Sequence, residues 1–262
     1  MTFTLATWNI NSVRLREALV LRLLTEEMPD ILCLQECKSP VDLIPVEAFR
    51  AMGYTHMVAR GQKGYNGVAI LSKLPITDAG DRDFAKLGHA RHVAARLENG
   101  VVIHNCYIPA GGDIPDRETN LKFAQKLDWV SELRDWAFAD KPQRSILVGD
   151  LNIAPREDDV WNHKSLLKIV SHTPIETELL QSAQDAGNWV DVTRQDIPSG
   201  RLYSWWSYRS PDWDGADKGR RLDHIWATPD IASAAHSSKI LRPVRGWTQP
   251  SDHVPVFATF DL

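Results

Sequence analysis

Short apolar runs that stop at a polar side chain recur along this chain, and they constrain its fold more than any other feature. The clearest is Ser145-Ile-Leu-Val-Gly-Asp-Leu-Asn152. Ile146, Leu147 and Val148 make the continuous apolar run of a strand buried on both faces. Gly149 interrupts it where the backbone must turn or approach something closely. Asp150 and Asn152 are two residues apart, so both side chains leave one face of an extended segment. A carboxylate and an amide after a buried strand stand where α/β proteins place chemistry, although Asx turns use the same residues. Phe3 to Ile10 repeats the arrangement with Trp8-Asn9-Ile10-Asn11, and so does Ile31-Leu32-Cys33-Leu34 before Gln35-Glu36. With these strands aligned in one direction, Asn9, Glu36 and Asp150 share a rim.

Helical periodicity fills the intervals. Ser12 reads as the N-cap of a helix through Met28, with Val13, Leu15, Leu19, Leu23 and Leu24 on its apolar side and Pro29-Asp30 stopping it. Asp42 to Met52 reads as a short helix and Tyr54 to Val58 as a strand. Gly61 to Gly67 is a glycine-spaced turn carrying Lys63, Tyr65 and Asn66, after which Val68 to Leu71 resumes a strand. His92 to Leu97 and Val101 to Tyr107 pair around the hairpin signal Glu98-Asn99-Gly100. Arg117 to Phe138 is helical, with Leu121, Ala124, Leu127, Val130, Leu133 and Trp136 as inner positions. Further helices are expected over Asp158 to Val170 and Glu176 to Ala186, and an extended piece over Trp189 to Val192. Leu222 to Trp226 and Val256 to Phe260 close the set as strands. No linker, low-complexity run or fixed repeat divides the chain, so residues 1–262 read as one domain.

Between them, Arg201 to Arg221 is a long polar loop holding Tyr203, Trp205, Trp206, Tyr208 and Trp213 with Arg209, Lys218, Arg220 and Arg221. Aromatics mixed with cations on such a loop suit stacking and backbone gripping of a nucleic acid better than core packing. The net charge of −4 gives no bulk attraction to a polyanion, so DNA binding requires segregated cations, for which Lys63, Arg91, Arg209 and Lys218 are candidates. Three cysteines, Cys33, Cys37 and Cys106, supply neither a disulfide framework nor a four-ligand zinc site. Reduced thiols, and a chain that opens on a strand pattern with no leader or spanning segment, lead to the expectation of a soluble cytoplasmic protein without membrane association.

The polar residues at strand ends are Asn9, Glu36, Tyr107, Asp150, Asn152, Asp223, Asp252 and His253. Carboxylates with amides suit a hard divalent cation bound through oxygen, Mg²⁺ or Mn²⁺. A carboxylate beside a histidine is the orienting pair used in hydrolysis. His89, His92 and His104 form a second, looser group that reads as one loop and two strand residues. No Gly-x-Ser-x-Gly elbow and no P-loop is present, so serine hydrolase and NTPase readings fall away.

In this order the motifs resemble the exonuclease III family of abasic-site endonucleases, within the endonuclease/exonuclease/phosphatase superfamily. The resemblance spans essentially the whole chain. It rests on Trp8-Asn-Ile-Asn11, Leu34-Gln-Glu-Cys37, Gly61-Gln-Lys-Gly64 with Gly67-Val-Ala69, Gly149-Asp-Leu-Asn-Ile153, Ser204-Trp-Trp-Ser-Tyr-Arg-Ser210, Arg221-Leu-Asp223 and Pro250-Ser-Asp-His253. It implies an α/β, DNase I-like fold: a four-layered αββα sandwich of two mixed sheets flanked by helices. It implies Mg²⁺-dependent hydrolysis of the phosphodiester 5′ to abasic sites in double-stranded DNA, with 3′–5′ exonuclease and 3′-end repair by a monomer. Glu36 becomes the principal metal ligand, helped by Asn9 and Asp252, in a metal site that also takes in Asp150, Asn152 and His253. Asp150 orients or deprotonates water, Asn152 and Tyr107 contact the phosphate, and Asp223 holds His253. Asp150 and His253 can each be argued to be the general base. Lys63, Tyr65, Asn66, Arg91, Trp205, Arg209, Trp213, Lys218, Arg220 and Leu222 fall to substrate binding, with Trp205 the exposed ring of the Trp205-Trp206 pair and Trp206 the buried one.

Three positions depart from the pattern. Asn11 stands where some members are acidic, Ala110 replaces a longer polar residue, and Arg220 occupies a position that is usually apolar or aromatic in the damaged-nucleotide pocket. An inositol-phosphate or lipid phosphatase of the same superfamily, and a DNA-binding homologue with little activity, are the alternatives. The aromatic loop disfavours the first, and the complete polar set disfavours the second.

Overall fold

The computed structural model of the chain describes all of residues 1–262. In chain order its strands are β1 (Thr2–Asn9), β2 (Ile31–Gln35), β3 (His56–Arg60), β4 (Val68–Ser72), β5 (Ile76–Asp78), β6 (His92–Leu97), β7 (Val102–Tyr107), β8 (Ser145–Asp150), β9 (Val190–Asp191), β10 (Asp223–Ala227), β11 (Ala235–Ile240) and β12 (Val256–Asp261). One sheet has the order β11-β12-β1-β2-β4-β3 and the other β5-β6-β7-β8-β10-β9. The two face each other with helices outside, the four-layered DNase I-like sandwich expected from the sequence.

Each sheet contains a single parallel pair, β1 with β2 and β7 with β8; all other neighbours are antiparallel. A parallel pair needs a crossover, and helices α1 (Glu17–Glu26) and, after the short α2 (Val46–Ala51), α3 (Leu121–Asp140) supply them. The four parallel strands therefore end at the same rim. Asn9, Glu36, Tyr107 and Asp150 stand at those ends.

The apolar runs alternate sides. Ile31 and Cys33 point between the sheets, where they meet the core that holds Ile146 and Val148. Leu32 and Leu34 face outward onto Val20 and Leu23 of α1, and Leu147 onto Trp129, Val130 and Leu133 of α3. No helix is long and apolar enough to cross a membrane.

Several boundaries differ from those expected. Ser12 does not cap α1: its N–H bonds Glu36 O (2.8 Å) and that of Val13 bonds Cys37 O (3.1 Å), so residues 11–13 extend the pairing past β2 and the helix waits until Glu17. Pro45 splits Asp42 to Met52 into a 3₁₀ turn, Val41–Leu43, and α2. The strand expected over Tyr54 to Val58 lies at His56–Arg60. Leu121 is exposed at the start of α3, and Phe123, Lys126 and Trp129 share the buried side instead. Asp158 to Val170 is not one helix. A 3₁₀ turn at Glu157–Asp159 precedes α4 (His163–Leu166), because Val160 is drawn into a bridge with Arg220. Helix α5 (Pro174–Ala186) starts two residues early on a Thr173–Glu176 capping box, and Val192 opens a helical turn where extended chain was expected. β5 and β11 were not legible; one is three residues long and the other reads Ala-His-Ser-Ser-Lys-Ile.

Candidate active site

Pairing register places Tyr107 beside Asp150, and Asp150 beside Asp223. Three polar side chains thus stand in a row across the second sheet, all buried. Gly149 makes the row possible. Its φ is +136°, and a Cβ there would lie 1.9 Å from the carbonyl oxygen of Cys106. Asn152 follows with φ +53°; its N–H donates to Asp150 Oδ1 (3.0 Å), and its amide donates to Asp150 Oδ2 (3.0 Å) and Ile108 O (2.9 Å).

The first sheet meets this row through Asn9, whose amide nitrogen donates to Asp150 Oδ2 (2.8 Å) and to Glu36 Oε2 (3.0 Å). Its carbonyl oxygen accepts from the Asn11 N–H. Asn9 is thereby a donor bridge between two carboxylates. Lys38 Nζ lies 2.8 Å from Glu36 Oε1 and 2.7 Å from Asn11 Oδ1. Asp252 accepts from Trp205 Nε1 (2.9 Å) and from the Asn11 amide (3.3 Å).

His253 faces both aspartates, with Nδ1 2.8 Å from Asp223 and Nε2 3.6 Å from Asp150. Burial opposes charge on the ring, but Asp223, then Asp150, outweigh it and push its pKa up to about 10. Burial raises the Asp150 carboxyl to about 7, with His253 pulling against the shift and Asp223 adding to it. Burial, then Glu36 and Asp150, hold the Tyr107 phenol protonated well above its usual range.

The donor set is rich in oxygen and in negative charge. Asp150, Asp223 and His253 bring ligand atoms within 4.8 Å of one another, and Glu36 and Asp252 add carboxylates to the same cavity. A buried carboxyl raised toward neutrality is the kind that a divalent cation returns to its charged form. These residues fit a hard cation bound through oxygen.

The centre opens into a cavity of about 850 Å³. Of the residues expected to bind substrate, Trp205, Arg209, Lys218, Arg220 and Leu222 line it. Trp206 is buried and Trp205 half-buried, as alternation along the segment requires. The remaining candidates lie off the cavity. Lys63 and Tyr65 are exposed on their turn, and Asn66 is buried with its amide on Gln62. Arg91 stacks over the Tyr107 ring, and Trp213 packs edge-on against Trp206 beneath Arg242 and Arg245. Sequence reasoning missed Lys38, Ser204, Ser251 and Trp161. Ser204 donates to Asp223 (2.7 Å), Ser251 to Asn9 O (2.6 Å), and Trp161 lines the cavity. Both serines flank motif residues, which was the available signal.

Two face-to-face mixed sheets with this acidic centre define a metal-dependent phosphoester-cleaving enzyme. The sequence narrows that class, because the family described as Endonuclease/Exonuclease/phosphatase matches residues 6–253, and the chain belongs to it. It is 29% identical to exodeoxyribonuclease III of Haemophilus influenzae, over 97% of this chain and 98% of that one. An AP endonuclease from Archaeoglobus fulgidus superimposes with a TM-score of 0.91 at 32% identity, over 99% and 100% of the two chains. A variant of the 3′ phosphatase NExo from Neisseria, bound to a product DNA hairpin, gives a TM-score of 0.89 at 32% identity and the same coverage. Within the family the chain is a nuclease of exonuclease III and AP endonuclease type.

Proposed function

We propose that this protein hydrolyses the phosphodiester bond 5′ to abasic sites in double-stranded DNA, and trims nucleotides and blocking groups from 3′ ends, as a cytoplasmic monomer. Mg²⁺ is the assigned metal, with Mn²⁺ able to replace it. The observation that carries this reading is the buried Asp150–His253–Asp223 cluster opening into a cavity walled by Trp205. Relatives named exodeoxyribonuclease and AP endonuclease support a DNA substrate.

Glu36 and Asp252 would hold the Mg²⁺, which when bound would supply positive charge against the phosphate oxygens. The chain does the rest. Asp150 orients the attacking water and takes its proton, its carboxylate held in place by the Asn9 and Asn152 amides. His253 serves as the charged partner of the phosphate, since Asp223 keeps it protonated well above neutrality. Both N–H groups of the Asn152 amide are occupied, so Asn152 fixes Asp150 and does not grip phosphate itself. Tyr107 offers its phenolic proton to a phosphate oxygen.

Incubation with Mg²⁺ and three substrates tests the reading: an abasic-site duplex, an inositol polyphosphate and sphingomyelin. Cleavage of the duplex alone is expected. Turnover of either other substrate with an intact duplex would refute it.

A further inference from the structure

The cavity is lined by groups of both signs, the carboxylates Asp150, Glu36 and Asp252 and the cations Arg220, Lys218 and Arg209. Arg220 is the informative one. Its Nη1 is anchored by Val170 O (2.9 Å) and Ser171 Oγ (2.7 Å), two neutral acceptors, while its Nε is buried without a partner and its Nη2 donates to nothing in the protein. No carboxylate pairs with it. Glu176, the nearest acid to influence it, is already bound to Lys126 at 2.5 Å. A half-buried guanidinium without a counter-ion is costly, and an oxyanion entering the cavity relieves that cost.

The aromatic walls point the same way. The Arg220 guanidinium lies 5.2 Å from the centroid of Trp205, and Lys218 Nζ lies 5.0 Å from that of Trp161. Both indoles thus have a cation on one face, where an uncharged sugar would otherwise stack. Trp205 is bridged on one side to Arg220 and on the other to His253. Two strand spacings put the backbones of Arg220 and His253 about 10 Å apart. From there the two side chains reach groups separated by only a few bonds, such as a phosphate and a carboxylate on one small ester.

We propose that Arg220 makes this pocket an oxyanion subsite, so that the enzyme favours a 3′-terminal phosphate ester bearing a carboxylate, of phosphoglycolate type, over a neutral abasic sugar. The inference rests on the DNA 3′-end and abasic-site reading above and gives it a direction. Water adds to phosphorus and the P–O3′ bond breaks. The 3′ oxygen leaves with a proton as the 3′-hydroxyl, and phosphoglycolate is released whole.

The test uses the full chain with Mg²⁺ on three versions of one duplex: a 3′-phosphoglycolate end, a 3′-phosphate end and an internal tetrahydrofuran abasic analogue. A lost charge-assisted hydrogen bond is worth about ten- to hundredfold. Arg220→Leu should lower the phosphoglycolate-to-abasic ratio of kcat/KM by that amount, and Arg220→Lys should retain most of it. An unchanged ratio, equal losses on all three substrates, or a loss concentrated on the internal site would overturn the inference. Should Arg220→Leu fail to fold, the ratio in Arg220→Gln decides by the same criterion. A wild-type protein inactive on every version would overturn the underlying function, which is a separate and recognisable failure.

Discussion

Asp223 holds His253 through a 2.8 Å hydrogen bond to Nδ1, and Ser204 and the β8–β10 register fix Asp223 in turn. The imidazole is therefore charged and oriented before any substrate arrives. Asp223→Asn should keep the fold and lower kcat by up to about 10⁴, the loss seen when the orienting carboxylate of a Ser-His-Asp triad becomes an amide. The sign of the pH effect follows from the raised pKa. In the wild type the charged ring is lost only as pH rises through about 10. In Asp223→Asn the alkaline limb of the rate profile should move to lower pH, and an unmoved limb would argue against a charged His253.

A metal requirement follows from the carboxylates of Glu36, Asp150 and Asp252 meeting in one cavity. EDTA should abolish cleavage and Mg²⁺ should restore it. Glu36→Gln should reduce the rate while leaving the thermal transition nearly in place. Full activity in EDTA is the contrary result.

Trp205 and Trp206 separate substrate contact from packing. Trp206 is buried, donates to Asp217 (3.1 Å) and packs on Tyr203 and Trp213, so Trp206→Ala should cost about 3–5 kcal/mol of stability. Trp205→Ala removes a cavity wall. Incision at abasic sites should fall about ten- to hundredfold, the effect of losing one stacking aromatic, with little change in Tm. A reversed pattern would mean the rings are misassigned.

Asp159 offers a stability prediction remote from the chemistry. It is buried between Arg221 (2.7 and 3.0 Å) and Arg194, and these charges outweigh its desolvation and lower its pKa to about 2. The depressed value means its contribution is complete above the unfolded value of about 3.9 and is lost as pH falls toward 2. Asp159→Asn should cost about 3–5 kcal/mol at neutral pH, and the variant should show a weaker acid dependence below pH 4 in a denaturation series.

What the sequence made legible, and what it hid, divides along physical lines. The motif strands β2 and β8 were readable because burial on both faces demands continuous apolar runs and the rim demands polar ends. Trp205 and Trp206 were separable because alternation in extended chain is a property of two adjacent residues. Lys126 was not readable. A lysine on a helix normally faces water, and only the approach of Glu176 from α5 draws it into the interior, where it also donates to Asn152 O (2.8 Å). Ser12 was misread because a local capping signal yielded to pairing with the chain after Glu36, a contact between segments distant in sequence.

The central claim is hydrolysis of the bond 5′ to an abasic site by water positioned at Asp150. Incision of a single-abasic-site duplex in H₂¹⁸O, with mass analysis of both new ends, tests it most directly. The account predicts a free 3′-hydroxyl upstream and one ¹⁸O in the 5′-phosphate of the downstream fragment. An unlabelled 5′-phosphate paired with an unsaturated 3′ sugar, or an uncut duplex, would contradict it.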